Sequence, residues 1–355
     1  MSFMLNPYLF AVSNSSIIES IQAFSIASNG ASTATATITT VDTANTIVIH
    51  NGFSATTAND GNLSVQYNQL VLTNSTTVTA TFGSSAPAGI TIKGYVIEFK
   101  STVIQSIQTG DILIGSSSSS NTATISAVTL ANSAVISTGG RIGDNNGSME
   151  NVMCTLALTD STTVTATRGV SLASTNMWTR YYVLEFKPTI ITSRNAISNN
   201  MSGVTSTNTA ITAVDLNKTI LFNAGTRTGA SSALTRCASL MFTSGLVRGI
   251  VGGTGDSQST ANAQVLEFAQ GVSSVQSGSI TIASGSLTNT ATISSIDTAK
   301  SALIFSGVTA TTSTQQLSSS YGHVVLTNAT TVTATRGNAL LTQDITLYFM
   351  VVTFV

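Results

Sequence analysis

TNSTTVTAT, residues Thr73–Thr81, recurs along this chain, with near copies at Thr159–Thr167 (TDSTTVTAT) and Thr327–Thr335 (TNATTVTAT). The first two copies begin about 85 residues apart and the last two about twice as far apart, which predicts a fourth copy between them. The segment TSGLVRGIV stands at that place and begins at Thr243. We therefore predict four repeats of about 85 residues in this chain of 355.

Other segments recur in phase with this stretch and set the repeat boundaries. Each repeat closes on a similar apolar segment: GYVIEFK from Gly94, YYVLEFK from Tyr181, AQVLEFA from Ala263 and FMVVTFV from Phe349. The predicted units are an N-terminal arm over 1–16 and four repeats over 17–100, 101–187, 188–270 and 271–355.

Apolar and polar residues alternate through most of each repeat, which indicates β-strands rather than helices. About six strands per repeat predict an all-β chain of four tandem antiparallel β-sandwich repeats, immunoglobulin-like or jelly-roll-like in strand order. We expect Val78 to face the core between outward threonines, and Leu70 and Leu72 to share a buried face. The third repeat diverges, because Arg248 takes the position of Val78 unless one residue is deleted there.

The composition excludes several classes of protein. Charged residues make up 8% of the chain, against roughly 25% in an average globular protein, and the net charge is −1. This charge gives no electrostatic footprint for nucleic acid or an anionic membrane surface. No apolar run is long enough for a transmembrane helix, and no Lys or Arg precedes Lys93, so we predict neither a membrane span nor a signal peptide.

The residues most often used in catalysis show no ordered motif. The two histidines, His50 and His323, stand at different repeat positions without a neighbouring acid or thiol, so we interpret them as surface or turn residues. Glu98, Glu185 and Glu267 recur once per repeat, which is typical of cross-strand partners rather than of paired catalytic carboxylates. We therefore predict no enzyme, no catalytic residue and no cofactor.

The sequence also gives little support for a metal site or a disulfide. Gly143–Glu150 and Asn59–Asn62 carry oxygen ligands without the spacing of a calcium loop, so we interpret them as tight turns and predict no metal site, although weak calcium binding stays open. Cys154 is in register with the apolar face of its strand, so we predict that it is a small buried apolar residue. Cys237 lies in another repeat, which favours two unpaired thiols.

A few large or charged side chains are candidates for contacts with a ligand or partner. Trp178 and Tyr181 lie together near the end of the second repeat, and Arg248 marks the divergent third repeat. Arg168 and Arg336 recur at one strand end, where we interpret them as solvated rim residues.

The N-terminal arm has no counterpart in the repeats. It is apolar and uncharged, and Pro7 interrupts any regular helix or central strand. Such a segment must be buried on the first repeat or on another subunit, and we favour an assembly role on another subunit. The predicted assembly residues are Phe3, Leu5, Tyr8, Leu9 and Phe10.

Tandem β repeats that carry LTNSTTVTAT followed by YVIEF, in a charge-poor chain rich in Ser and Thr, resemble virion structural proteins of tailed bacteriophages, such as capsid decoration proteins and tail fibres. The resemblance implies assembly in the host bacterial cytoplasm without a signal peptide, contacts with other capsid or tail proteins, and a homo-oligomer. It supplies no catalytic residue. The alternative is a receptor-binding fibre or adhesin that recognises a host surface glycan.

Overall fold

The computed structural model describes residues 15–56, 63–143, 149–169, 175–212, 214–229, 239–243, 246–252, 259–310, 320–338 and 343–355. The first repeat contains β1 (Ile18–Ala27), β2 (Thr33–Thr37), β3 (Thr46–Ala55), β4 (Asn68–Asn74), β5 (Thr77–Phe82) and β6 (Ile90–Phe99). The second contains β7 (Ile104–Ile114), β8 (Ser120–Thr124), β9 (Ser133–Ile142), β10 (Cys154–Asp160), β11 (Thr163–Arg168) and β12 (Met177–Phe186).

The second half of the chain repeats this succession. The third repeat contains β13 (Ile191–Asn200), β14 (Ser206–Ala210), β15 (Thr219–Arg227), β16 (Ser239–Thr243), β17 (Leu246–Ile250) and β18 (Thr260–Phe268). The fourth contains β19 (Val272–Ile282), β20 (Thr288–Thr292), β21 (Ser301–Ala310), β22 (Gly322–Asn328), β23 (Thr331–Arg336) and β24 (Ile345–Phe354). Single 3₁₀ turns lie at Thr43–Asn45, Leu63–Val65, Leu130–Asn132, Met149–Asn151, Leu216–Lys218 and Thr298–Lys300. Strands account for 64% of the chain, so the all-β class is confirmed.

The strands of one repeat do not form a sandwich of their own. In each repeat the first, sixth and third strands pair side by side, and the second, fifth and fourth strands form a separate triplet. Neighbouring repeats then share sheets, as in the order β2-β5-β4-β9-β12-β7, which joins a triplet of the first repeat to a triplet of the second. The prediction of four tandem sandwiches is therefore wrong.

Five antiparallel sheets result, arranged like the blades of a propeller. Three of them have six strands: the sheet just given, β13-β18-β15-β10-β11-β8, and β1-β6-β3-β22-β23-β20. The two three-stranded sheets, β14-β17-β16 and β19-β24-β21, together hold the strands that make one six-stranded sheet elsewhere. Because β3 pairs with β22, the last repeat returns to the first and closes the arrangement into a ring.

Glycines make the contact between neighbouring repeats possible. The third strand of each repeat has a bulge whose glycine adopts positive φ, and in the first, second and third repeats the fourth strand of the preceding repeat around the ring docks there. A Cβ on Gly52, Gly139 or Gly225 would lie 2.2–2.3 Å from a carbonyl oxygen of that docked strand.

A second set of glycines repeats at the end of each fifth strand and marks the same boundaries. A Cβ on any of them would lie 1.6–1.9 Å from a backbone oxygen of the next repeat. The pairs run in one direction around the ring and return to its start: Gly83 with Ile142, Gly169 with Thr228, Gly252 with Ala310, and Gly337 with Ala55.

The buried residues of all four repeats form one continuous apolar cluster. The expected inward valine is confirmed, since Val78, Val164 and Val332 are fully buried. Leu70 is also fully buried, whereas Leu72 is only partly so. In the third repeat Phe242 pairs with Val247, as Leu72 pairs with Val78, so one residue is deleted there and Arg248 lies on the exposed face.

Aromatic side chains also pack over glycines across the first and sixth strands. In the first repeat the aromatic residue is on the first strand, where Phe24 faces Gly94. In the second repeat the arrangement is exchanged, and Tyr181 of the sixth strand faces Gly110. The fourth repeat follows the second, with Phe349 over Gly278. The glycine provides room for the ring, and the ring covers the exposed backbone.

Gly139→Ala is expected to lower the free energy of unfolding by roughly 3–5 kcal/mol, because the new Cβ would meet the Asn68 carbonyl oxygen of the docked strand at 2.2 Å. Gly30→Ala is the matched control, since Gly30 also has positive φ but no atom lies within 4 Å of its Cβ position. We expect the control to lose only about 1–2 kcal/mol from backbone strain. Urea unfolding of both variants measures the difference, and equal losses would contradict the docking role of Gly139.

Candidate functional site

A cavity of about 120 Å³ lies where the third strands of the four repeats converge. Each repeat contributes residues from the bulge of that strand, and fourth-strand residues complete the wall. The principal lining residues are His50, Phe53, Ser137, Asn223, Phe305 and Tyr321. Such a volume accommodates several water molecules or one small ligand.

One side of this central cavity is aromatic. The rings of Phe53 and Tyr321 stack with centroids 4.7 Å apart, and Tyr67 meets Phe53 edge to face at 6.1 Å. Phe305 meets Tyr321 edge to face, also at 6.1 Å. Met153 and Met177 contribute to another part of the lining. The described lining contains no Asp, Glu, Lys or Arg side chain, so the wall suits uncharged groups.

His50 is built into the cavity wall by hydrogen bonds from both ring nitrogens. Its Nδ1 accepts from the Gly52 backbone N–H at 2.9 Å, so Nε2 carries the proton and donates to Asn68 Oδ1 at 2.9 Å. Burial lowers the pKa of His50 to about 4, although the hydrogen bond to Asn68 opposes the shift. His50 is therefore a half-buried residue of the bulge and not the surface or turn residue that we expected, because its Nδ1 accepts the Gly52 N–H.

Equivalent residues accept a hydrogen bond from the bulge glycine in two other repeats. The Ser137 hydroxyl accepts from the Gly139 N–H at 3.3 Å, and the Asn223 side-chain oxygen accepts from the Gly225 N–H at 2.8 Å. These side chains provide an acceptor for a backbone donor inside the ring, where an unpaired N–H is costly. Phe305, which stands at this position in the fourth repeat, has no acceptor atom and lies in the aromatic wall instead.

His323 is also inside the protein, at the boundary where the fourth repeat docks onto the first. It is only 5% exposed, and it pairs with Gly52 across the boundary. Burial, followed by the positive charge of Lys93, lowers the pKa of His323 to about 4. The sequence did not indicate this location, because it does not show that the first and last repeats pair with each other.

Arg168 and Arg336 are structural residues, contrary to their interpretation as solvated rim residues. Each is 1% exposed. Arg168 donates to the carbonyl oxygens of Ser118, Thr175 and Gly115 at 2.7–2.9 Å. Arg336 makes the corresponding three bonds at 2.8–2.9 Å. The guanidinium has five donors in a planar fork, which allows it to tie two loops to the end of a strand.

The recurring glutamates hold turns. Glu98 Oε2 accepts from the hydroxyl of its cross-strand partner Ser20 at 2.8 Å, and Oε1 accepts from the Asp42 backbone N–H at 2.7 Å. Glu185 makes the corresponding two bonds. The interpretation as cross-strand partners is confirmed for Glu98 and Glu185, and the turn N–H is a further partner that the sequence did not indicate; Glu267 accepts from the Asp215 turn N–H.

The structure places the other candidate residues as follows. Cys154 is buried and unpaired, as expected, and burial raises the pKa of its thiol to about 11. Tyr181 is 5% exposed, which leaves little of it for a ligand. Trp178 is half-buried, and the Arg141 guanidinium lies 4.3 Å from its ring centroid. Arg248 is exposed and donates to the Ser206 hydroxyl.

Several predicted features lie outside the described residues. These are Cys237, the segment Asn59–Asn62, most of Gly143–Glu150, and the assembly residues of the arm, Phe3, Leu5, Tyr8, Leu9 and Phe10. Within the described ranges, no group of three or more His, Cys, Asp or Glu residues is placed to hold a metal ion. In the same ranges no helix has the length and apolar character needed to cross a membrane.

Comparison with known proteins adds no relative. A scan against protein-family models found no match, and a search of curated proteins found no similar sequence.

Acidification is expected to destabilise the ring through its two histidines. Their folded pKa values of about 4 lie below the ordinary value of 6.5, so the unfolded chain binds protons first. Stability should be complete above pH 6.5 and should fall as the pH drops towards 4, by roughly 2–3 kcal/mol per histidine. Urea unfolding between pH 7 and 4.5 measures this slope.

The control is the double variant His50→Asn with His323→Gln, which introduces the residues found at the equivalent positions Asn223 and Gln69. Asparagine keeps an acceptor for the Gly52 N–H, and neither new residue titrates. The slope over this pH range should largely disappear. An unchanged slope would show that other groups cause the acid sensitivity.

Proposed function

We propose that the chain is a non-enzymatic structural protein of a tailed-bacteriophage virion, either a capsid decoration protein or a fibre component. In this proposal it assembles with other copies and with capsid or tail proteins through its ring of β repeats and its N-terminal arm. The virion is then its location.

One observation supports the non-enzymatic part of the proposal: among the described residues, the recurring glutamates, the buried arginines, His50 and Cys154 are engaged by the protein's own structure. The recurring glutamates bind turn N–H groups, the buried arginines bind loop carbonyls, and both His50 nitrogens are hydrogen-bonded. The Cys154 thiol, with its raised pKa, stays protonated at neutral pH. A nucleophile, base or acid in an active site needs a free atom directed at substrate.

The sheet edges support an assembly role. The second strands β2, β8, β14 and β20 each lie at the end of a sheet, and they read TATAT, SNTAT, STNTA and TNTAT. They carry no charge and no proline, the usual protections against edge-to-edge pairing. Four similar edges on one ring offer repeated contacts to neighbouring subunits or proteins.

The first test is the solution mass of the full-length protein and of a variant lacking residues 1–14, measured by sedimentation. We expect a defined oligomer for the full chain and a monomer after deletion, because the deletion removes the apolar assembly residues. A full-length variant with Phe3, Leu5, Tyr8, Leu9 and Phe10 all changed to Ser controls for chain length. Monomers for every form would contradict assembly through the arm.

The edges are tested separately by Thr35→Lys, which places a charge at an exposed position in the middle of β2. An oligomer that survives loss of the arm but dissociates with Thr35→Lys would assign assembly to the edges instead. Mass spectrometry of purified virions then tests the proposed location.

A host-glycan-binding fibre is the second candidate, and the surface around Trp178 favours it. Trp178 pairs across strands with Leu113 on one side and Arg141 on the other, and Leu113 is 40% exposed. The equivalent positions in the other repeats hold Thr91, Thr260 and Thr346, so this aromatic surface belongs to one repeat alone. Aromatic faces with adjacent hydrogen-bond donors suit sugar rings.

On a glycan array, Trp178→Ala should weaken binding to any recognised glycan by roughly tenfold or more, because it removes the ring that would stack on a sugar. Leu287→Ala is the control, since Leu287 is an exposed apolar residue of the fourth repeat, 47% exposed. Equal binding by both variants would contradict a glycan site at Trp178.

A further inference from the structure

A second cavity, of about 230 Å³, lies where the fourth repeat docks onto the first. Its walls come from the first, third and sixth strands of the first repeat and from the fourth strand of the last repeat. We call it the closure cavity. The lining residues used below are Phe24, Ser25, Asn51, Lys93, Tyr95 and Val324.

The boundary between the first and second repeats shows one way in which this place is filled. There Asp111 binds Arg180 through both carboxylate oxygens, at 2.7 and 2.9 Å. The Gln69 amide of the docked strand also points at this carboxylate, with its nitrogen 3.3–3.4 Å from the two oxygens. A carboxylate thus lies between a cation of one repeat and a polar side chain of its neighbour.

At the closure boundary the cation and the polar side chain are present, but the carboxylate is missing. Lys93 stands at the Arg180 position and pairs across strands with Ser25, as Arg180 pairs with Asp111. His323 stands at the Gln69 position, since each pairs with a bulge glycine of the next repeat. Among the described residues, the Lys93 ammonium donates only to the Ser25 hydroxyl, at 2.9 Å.

Two buried polar atoms of the closure boundary have no hydrogen-bond partner among the described residues. His323 Nδ1 is buried and accepts or donates no hydrogen bond. Asn51, 1% exposed, accepts from the Phe305 N–H through Oδ1, which identifies its other atom as the amide nitrogen. That nitrogen, Nδ2, is buried without an acceptor, and Asn51 lines the cavity. A buried donor without an acceptor, such as Asn51 Nδ2, is costly and indicates a missing acceptor.

We propose that the closure cavity binds a small organic carboxylate with an apolar or aromatic body. The carboxylate takes the place that Asp111 occupies in the second repeat, where it accepts hydrogen bonds from the Lys93 ammonium and the buried Asn51 amide nitrogen. The body of the ligand lies against Phe24, Tyr95 and Val324, which form the apolar part of the wall. Lysine is suited to this role because it binds a carboxylate as a point charge while its stem packs on apolar surface.

Benzoate is the probe, and benzamide is its neutral counterpart of the same shape. Calorimetric titration of the full-length protein with each should show binding of benzoate and at least roughly tenfold weaker binding of benzamide, because a charge-assisted hydrogen bond is lost. Lys93→Met should weaken benzoate binding by a similar factor. Lys300→Met, which removes an exposed lysine of the fourth repeat, should leave it unchanged.

Ser25→Asp gives an independent test, because it supplies the carboxylate from within the chain, as Asp111 does in the second repeat. The variant should have a higher melting temperature than the parent and should no longer respond to benzoate. A stable variant is expected, so the loss of binding cannot be attributed to unfolding.

Three results would overturn the proposal. These are equal affinity for benzoate and benzamide, unchanged benzoate binding by Lys93→Met or Ser25→Asp, and no benzoate binding at concentrations up to tens of millimolar, where even a weak site is occupied.

Discussion

The close approach of neighbouring backbones at glycine is the constraint on which the rest of the structure depends. At each boundary a carbonyl oxygen lies where a side chain would otherwise begin, 1.6–2.3 Å from the position of a Cβ. Only a hydrogen atom fits there, and the approach allows the fourth strand of one repeat to extend the sheet of the next. Because every six-stranded sheet needs two repeats, an isolated repeat would leave both of its strand triplets without their neighbours.

Much of the local structure could be predicted from the sequence, because local patterns determine which face of a strand is buried. The recurrent Val78, Val164 and Val332 were expected in the core and lie there. The identity of the neighbouring strand could not be predicted in this way. Gln69 pairs with Gly139 in the next repeat, and a partner within its own repeat would show the same alternation. Because the repeats are similar, pairing within a repeat and pairing between repeats would bring chemically similar strands together. The sequence therefore contained nothing that contradicted four separate sandwiches.

The buried arginines were predicted to be exposed for a different reason, because charged residues usually lie on the surface. Arg168 and Arg336 share their repeat position with Phe82, which is 2% exposed. A position that accepts either phenylalanine or arginine is one where a long side chain fills space and, when charged, finds carbonyl acceptors. Comparing the repeats of this chain would have indicated a buried position, because one repeat has phenylalanine there. The arginine residue type alone indicated an exposed position.

The repeats differ most where the ring closes. Both histidines of the chain stand at the boundary between the fourth and first repeats, and the stacked pair Phe53 and Tyr321 spans it. Phe305 has no hydrogen-bond acceptor of the kind that its equivalents Ser137 and Asn223 provide, and its ring packs against Tyr321 in the aromatic wall. The boundary between the first and second repeats and the one between the second and third join their sheets without these residues, so strand pairing at a boundary does not require them. They bring aromatic rings, His50 and an unpaired amide donor to the linings of the two cavities, and the carboxylate site that we propose lies at this boundary.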